Sequence, residues 1–146
     1  MIGLVQRVRQ ARVEVAGQVV GAIGPGLLVF VCAEPADDTL QAQRFVDKVL
    51  KLRILADEAG RMNRSVQDTR GGLLIVSQFT LAADTAGGNR PSFTGAAPAE
   101  QGRRLYDTVL ALARERHSPV EAGEFGAHMA VHLVNDGPVT IPLRVA

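Results

Sequence analysis

The chain has 146 residues, 47% of them apolar, with 16 basic and 15 acidic side chains for a net charge of +1. That length and apolar content suit one folded domain over residues 1–146 and argue against a disordered chain. The single cysteine, Cys32, rules out an intrachain disulfide, and near-neutral charge argues against a protein that tracks a long nucleic-acid duplex. The longest apolar run, Leu27 to Ala33, is too short to span a bilayer, and the start MIGLVQRVRQ lacks a signal-peptide pattern. No membrane partner and a cytoplasmic location are therefore expected.

Ile2 to Arg9 mixes apolar and polar residues and leads into Ala11–Ala16, where Val13 and Val15 alternate with Arg12 and Glu14. Gly17-Gln18 offers a turn, and Val19–Ile23 reads as the returning strand of a hairpin. Gly24-Pro25-Gly26 punctuates the chain, and Leu27–Ala33 has the continuous apolar pattern of a strand buried on both faces. Asp37 or Asp38 can cap a helix through about Leu52, with Leu40, Phe45, Val46, Val49 and Leu50 inward. Arg53–Ala56 is a short strand ending in the turn Asp57–Gly60, and Leu73–Phe79 is another buried strand. Ala82 to Pro98 shows no periodicity; loops of that length are often functional. A second helix runs from Pro98 or Ala99 to about Arg116, with Leu105, Val109 and Leu112 inward. Two last strands, His128–Val134 and Val139–Val145, form a hairpin across Asn135-Asp136-Gly137-Pro138. Strands crossed by two main helices imply a layered α/β domain with a mixed sheet.

General catalytic signatures are sparse. Neither Ser77 nor Ser92 sits in a G-x-S-x-G elbow, and Cys32 lies inside an apolar run, where a thiol behaves as a small hydrophobe. His128 and His132 share a strand face but stand about 13 Å apart, too far for one ion on a straight strand. No metal or other cofactor is expected. No P-loop or dinucleotide fingerprint occurs, and Lys48, Lys51, Arg103, Arg104, Arg114 and Arg116 read as solvated helix faces.

Two segments stand out. In Ser77-Gln78-Phe79-Thr80-Leu81 an apolar strand turns abruptly polar, and strand ends are where sites gather in α/β proteins; an ordinary strand end is the alternative. In Asn135-Asp136-Gly137-Pro138-Val139-Thr140 a simple turn is the alternative to a Gly-Pro peptide whose low-cost cis form presents two carbonyls side by side.

On these residues the sequence closely resembles the bacterial D-aminoacyl-tRNA deacylases, also called D-tyrosyl-tRNA deacylases, whose motifs are S-Q-F-T-L and N-x-G-P-x-T. Gln6-Arg7-Val8, Gly26–Val29, Arg53-Ile54, Met62-Asn63 and Arg90–Phe93 match further positions in order, so the likeness covers the chain. The resemblance implies a partly barrel-like sheet and hydrolysis of the ester joining a D-amino acid to the 3′ end of tRNA, with no DNA partner. It also implies a homodimer with its sites at the subunit interface. Ser77, Gln78, Phe79 and Thr80 would be catalytic, the last two through backbone N–H groups. Gly137 and Pro138 would enter the neighbouring subunit's pocket as a chirality filter, rejecting L residues and, having nothing to reject in glycine, admitting glycyl-tRNA. Phe125 and Met129 would receive the terminal adenine, and Arg7 would brace the Gly-Pro loop.

Overall fold

The computed structural model describes residues 1–146. Strand β1 (Ile2–Val15) is the spine of the sheet. One of its edges carries β8 (Ala130–Arg144) antiparallel; the other carries β3 (Gly26–Cys32) beside residues 2–8 and β2 (Gln18–Ile23) beside residues 11–15. The β1–β2 turn falls at Ala16-Gly17, both with positive φ (49° and 78°), as a twist-matched two-residue hairpin requires.

The sequence suggests two segments where β1 is one strand, and a bulge explains the difference. Even-numbered Val8 and odd-numbered Ala11 and Val13 all enter the same apolar cluster, which a regular pleat forbids. Val8 faces Asn135 whereas Gln10 faces Val134, so β1 advances two residues for one on β8. The extra residue resets the alternation.

Strand β6 (Gly72–Ser77) lies parallel to β3, and β7 (Val120–Ala122) parallel to β6, so the sheet is mixed. Strand β3, and β6 as far as Val76, are apolar because both faces are covered. Leu27, Val29, Val31, Leu73 and Ile75 face the helices, and Leu28, Leu74 and Val76 face the inner cluster. At Gly21 of β2 any Cβ would run into the Ala122 carbonyl of β7. The two ends of the sheet thus approach each other, and only glycine permits a near-closed, barrel-like curl there.

Helices α1 (Thr39–Lys51) and α3 (Ala99–Arg116) cover the outer face. Asp38 caps α1: its carboxylate accepts from the Leu40 N–H (2.8 Å), while the Gln41 side chain accepts from the Asp38 N–H (2.8 Å). Leu40 is exposed rather than inward, and Leu112 is only partly covered; Tyr106, Leu110 and Ala113 complete the α3 face. Between the two helices lie the small hairpin β4 (Leu55–Ala56) and β5 (Met62–Arg64) and a one-turn helix α2 (Val66–Thr69), capped reciprocally by Ser65 and Asp68. No helix is long and apolar enough to cross a membrane.

The expected C-terminal hairpin does not form. Both halves of β8 run in one direction along β1, from Glu14↔Ala130 to Ile2↔Arg144. Between Val8↔Asn135 and Gln6↔Thr140, β8 advances five residues (140 − 135) while β1 advances two (8 − 6). Three surplus residues leave the ladder as an outward bulge that carries Gly137 and Pro138. Turn-type residues here interrupt a strand without reversing it.

Candidate active site

The strand expected over Leu73–Phe79 ends at Ser77. The Gln78 N–H makes a last bond to the Val31 carbonyl (2.9 Å), and the backbone then leaves the sheet at φ −143°, ψ 79°. Phe79–Ala82 closes as a 3-10 turn, with bonds from Leu81 N–H to the Gln78 carbonyl (3.2 Å) and Ala83 N–H to the Thr80 carbonyl (3.1 Å). The first N–H groups of such a turn, here those of Phe79 and Thr80, have no acceptor within it. Side chains stiffen the corner. Gln78 Nε2 donates to Thr80 Oγ1 (2.5 Å), and the Cys32 thiol donates to the Phe79 carbonyl (3.6 Å). Burial pushes the Cys32 thiol up, so it stays protonated.

This corner opens onto a cavity of about 700 Å³, within the range of small-ligand sites. Ser77, Gln78 and Phe79 form one side; Phe125, His128 and Met129 form another, with Cys32 and Tyr106 also in its wall. Five expected site residues therefore share one cavity, and Thr80 stands at its corner through Gln78. The 82–98 segment, patternless in sequence, is pinned by paired backbone bonds between Asp84 and Ser92 (2.8 and 2.9 Å). That pairing delivers Phe93 against Phe79, edge to face, with centroids 5.2 Å apart. The Phe125 ring is backed by Tyr106 at 6.0 Å and has the Arg103 guanidinium 4.8 Å from its centroid. Phe93, Tyr106 and Arg103 were missed as site residues in the sequence: Phe93 is there only a matched family position, Tyr106 has no reading, and Arg103 reads as part of a solvated helix face.

Arg7, Gly137 and Pro138 do not line this cavity. Ser77 lies opposite Val31, itself opposite Gly3, whereas the bulge begins opposite Val8. They are offset by five residues along β1, about 16 Å at ~3.3 Å per residue, and are further separated sideways by β1 and β3.

The bulge has a closed neck. Thr140 Oγ1 accepts from Asn135 Nδ2 (2.9 Å) and Gln6 Nε2 (3.2 Å), and the Val139 N–H donates to Asn135 Oδ1 (3.1 Å). This gives the flanking Asn and Thr of the motif a physical role. Arg7, 16% exposed, braces the bulge from behind: Nε donates to the Asp136 carbonyl (2.9 Å), Nη1 to the Ile54 carbonyl (2.9 Å), and the Asp136 carboxylate is 3.5 Å away. Gly137 has φ +131°, and a Cβ there would lie 2.8 Å from Val139 and 2.9 Å from the Arg7 guanidinium. The Gly137-Pro138 peptide is cis, and both residues are exposed.

The histidines are not brought together. His132 bonds Glu14 (3.0 Å) and Arg12 (3.3 Å) on the sheet surface, while His128 is at the cavity. The Arg12 and His132 contacts outweigh partial burial and hold the Glu14 carboxyl below its usual range.

The family model for D-Tyr-tRNA(Tyr) deacylase matches residues 4–144. Proteins named D-aminoacyl-tRNA deacylase from Paracidovorax citrulli (strain AAC00-1) and Methylibium petroleiphilum are each 70% identical; the matches cover 100% and 99% of this chain and 94% and 95% of theirs. A solved structure of the c-Myc DNA Unwinding Element Binding Protein superposes with TM-score 0.95 at 40% identity, over 100% of this chain and 99% of that one. A probable eukaryotic D-amino acid tRNA deacylase shares the fold at TM-score 0.84 and 17% identity, over 97% of each chain. With these matches spanning nearly every residue, the chain belongs to the D-Tyr-tRNA(Tyr) deacylase family.

Proposed function

We propose that this chain hydrolyses the ester between a D-amino acid and the 3′ end of tRNA, with the 3-10 corner after β6 as its oxyanion site. One observation carries this reading: the unpaired N–H groups of Phe79 and Thr80 open a turn on the edge of an apolar cavity large enough for the aminoacylated nucleoside. The ester carbonyl oxygen gains negative charge as water adds, and two fixed N–H donors stabilise it. The neighbouring ribose hydroxyl assists the water; the leaving group is the other ribose oxygen, and free D-amino acid departs. Thr80 is no nucleophile in this scheme, since Gln78 already donates to its hydroxyl and no base adjoins it. Phe125 and Met129 receive the terminal adenine, with one face of Phe125 already covered by Arg103.

Selection is completed by a second copy of the chain. Within one protomer the Gly137-Pro138 bulge is offset from the oxyanion corner by about 16 Å along β1, with β1 and β3 also between them, and its exposed tip is braced by Arg7. A homodimer that inserts it into the partner's cavity sets backbone carbonyls against the substrate ammonium, where an L side chain collides. Glycine has no side chain to reject, so glycyl-tRNA is also cleaved. One structural neighbour is named for DNA binding. The net charge of +1 favours a short strand end over a duplex.

The test is paired deacylation of D-tyrosyl-tRNA and L-tyrosyl-tRNA, with duplex DNA as a competitor. Rapid loss of the D ester alone, unaffected by DNA, is expected. Equal rates on both esters remove the filter, and cleavage of neither removes the enzyme reading. Thr80→Ala should keep its rate within about tenfold; an inactive, folded variant restores the nucleophile reading.

A further inference from the structure

Arg103 lies in the second turn of α3, where its guanidinium covers Phe125 at 4.8 Å and its Nη2 donates to the Phe125 carbonyl at 3.5 Å. It joins none of the chain's ion pairs. An exposed arginine normally samples many rotamers; this one is held at two points with its other N–H groups free, as a preorganised anion contact should be. Gly102, Phe125 and Gly126 line the cavity on either side of it, while no Lys or Arg lines the cavity itself. Pro98 and Ala99, from the start of α3, share that wall, so the positive end of the helix adds to the field. An apolar cavity suits a neutral nucleoside, but the phosphate attached to it must stay at the rim.

We infer that Arg103 binds the phosphodiester on the 5′ side of the terminal nucleoside. This rests on the proposal that the cavity takes the aminoacylated end. Planar guanidinium N–H groups suit two phosphate oxygens at once.

Deacylation of D-tyrosyl-tRNA and of D-tyrosyl-adenosine, which has no phosphate, is measured for wild type, Arg103→Met and Arg103→Lys across a salt series. In Arg103→Met the preference for tRNA over the adenosine ester should fall on the order of tenfold, through KM on tRNA. The slope of log KM against log salt should fall by about 0.7, the single-strand value for one phosphate. Arg103→Lys should restore the slope. Equal losses on both substrates, or an unchanged slope in Arg103→Met, overturn the inference and leave Arg103 as packing for Phe125. If wild-type protein cleaves neither substrate, the deacylase reading fails first and this inference fails with it.

Discussion

The Ser77–Thr80 corner and the Asn135–Thr140 bulge are both departures from a strand, but the sheet holds them differently. The corner ends β6, whose residues up to Val76 are buried on both faces, and it inherits rigidity from the core. The bulge interrupts β8 between paired residues and stands outside the ladder, so its rigidity comes from a neck of side-chain bonds and from Arg7 behind it. In the proposed function the corner is the receptor, with Ser77, Gln78 and Phe79 in the cavity wall. In the same proposal the bulge is the probe, with its tip exposed and its back fastened by Arg7. On the proposed function, one chain carries both halves of a lock and key, offset along β1 by about 16 Å, and a second copy closes them.

The sharpest way to break this contrast is at the corner's backbone. Phe79→Pro removes one N–H at a first-turn position that tolerates proline, and kcat should fall about 10²–10³-fold. Phe79→Ala keeps the N–H and should stay within about tenfold of wild type; equal losses in the two variants would assign the effect to the ring. Next is the probe. Gly137→Ala meets both a positive φ and contacts under 3.0 Å with Val139 and Arg7, so the tip must shift. A displacement of about 1 Å should lower kcat/KM on the D ester on the order of 10²-fold, with the melting temperature changed by only a few degrees. Arg7→Ala deletes the donors to Asp136 and Ile54. It should destabilise by about 2–3 kcal/mol and narrow the D/L ratio, a pairing of effects that chemical denaturation and the paired ester assay read separately.

The smallest effect lies beneath the corner. The buried Tyr106 hydroxyl donates to the Ile75 carbonyl (2.7 Å), tying α3 to β6, and burial pushes its pKa up to about 12. Because the folded value exceeds the ordinary 10, this group's stabilisation is complete below pH 10 and fades as pH rises toward 12. It is the only tyrosine, so phenolate absorbance follows it directly. Tyr106→Phe should cost about 1 kcal/mol at neutral pH, about 2–4 °C in Tm, and remove that alkaline loss. Activity should persist, since the hydroxyl braces the site without reaching the ester.

The helices and buried strands were legible in the sequence because their signals are local. Asp37 or Asp38 offers a cap ahead of an amphipathic stretch, of which the structure uses Asp38, and the apolar runs of β3 and β6 announce strands with two covered faces. The family resemblance marked the corner and the bulge, and the cavity gathers Ser77, Gln78, Phe79, Phe125 and Met129 as one wall set. What escaped depends on register or on distant contacts. Asn135–Pro138 has turn chemistry, yet pairing with β1 on both sides makes it a bulge, a fact no short window contains. Strand β7 has only three residues, too few to show alternation. Arg103 has the polarity of an outer helix face, and only the packing of Phe125 beneath it brings it beside a residue of the cavity wall.

The most direct test of a site completed by two copies is complementation between Phe79→Pro and Gly137→Ala. Each protein alone should be nearly inactive on D-tyrosyl-tRNA. When the two are unfolded together and refolded, mixed dimers contain one site with an intact corner and an intact probe. Recovery of D-specific deacylation that neither parent has is the expected result. A refolded mixture no more active than its parents would mean that corner and bulge do not meet across a subunit interface.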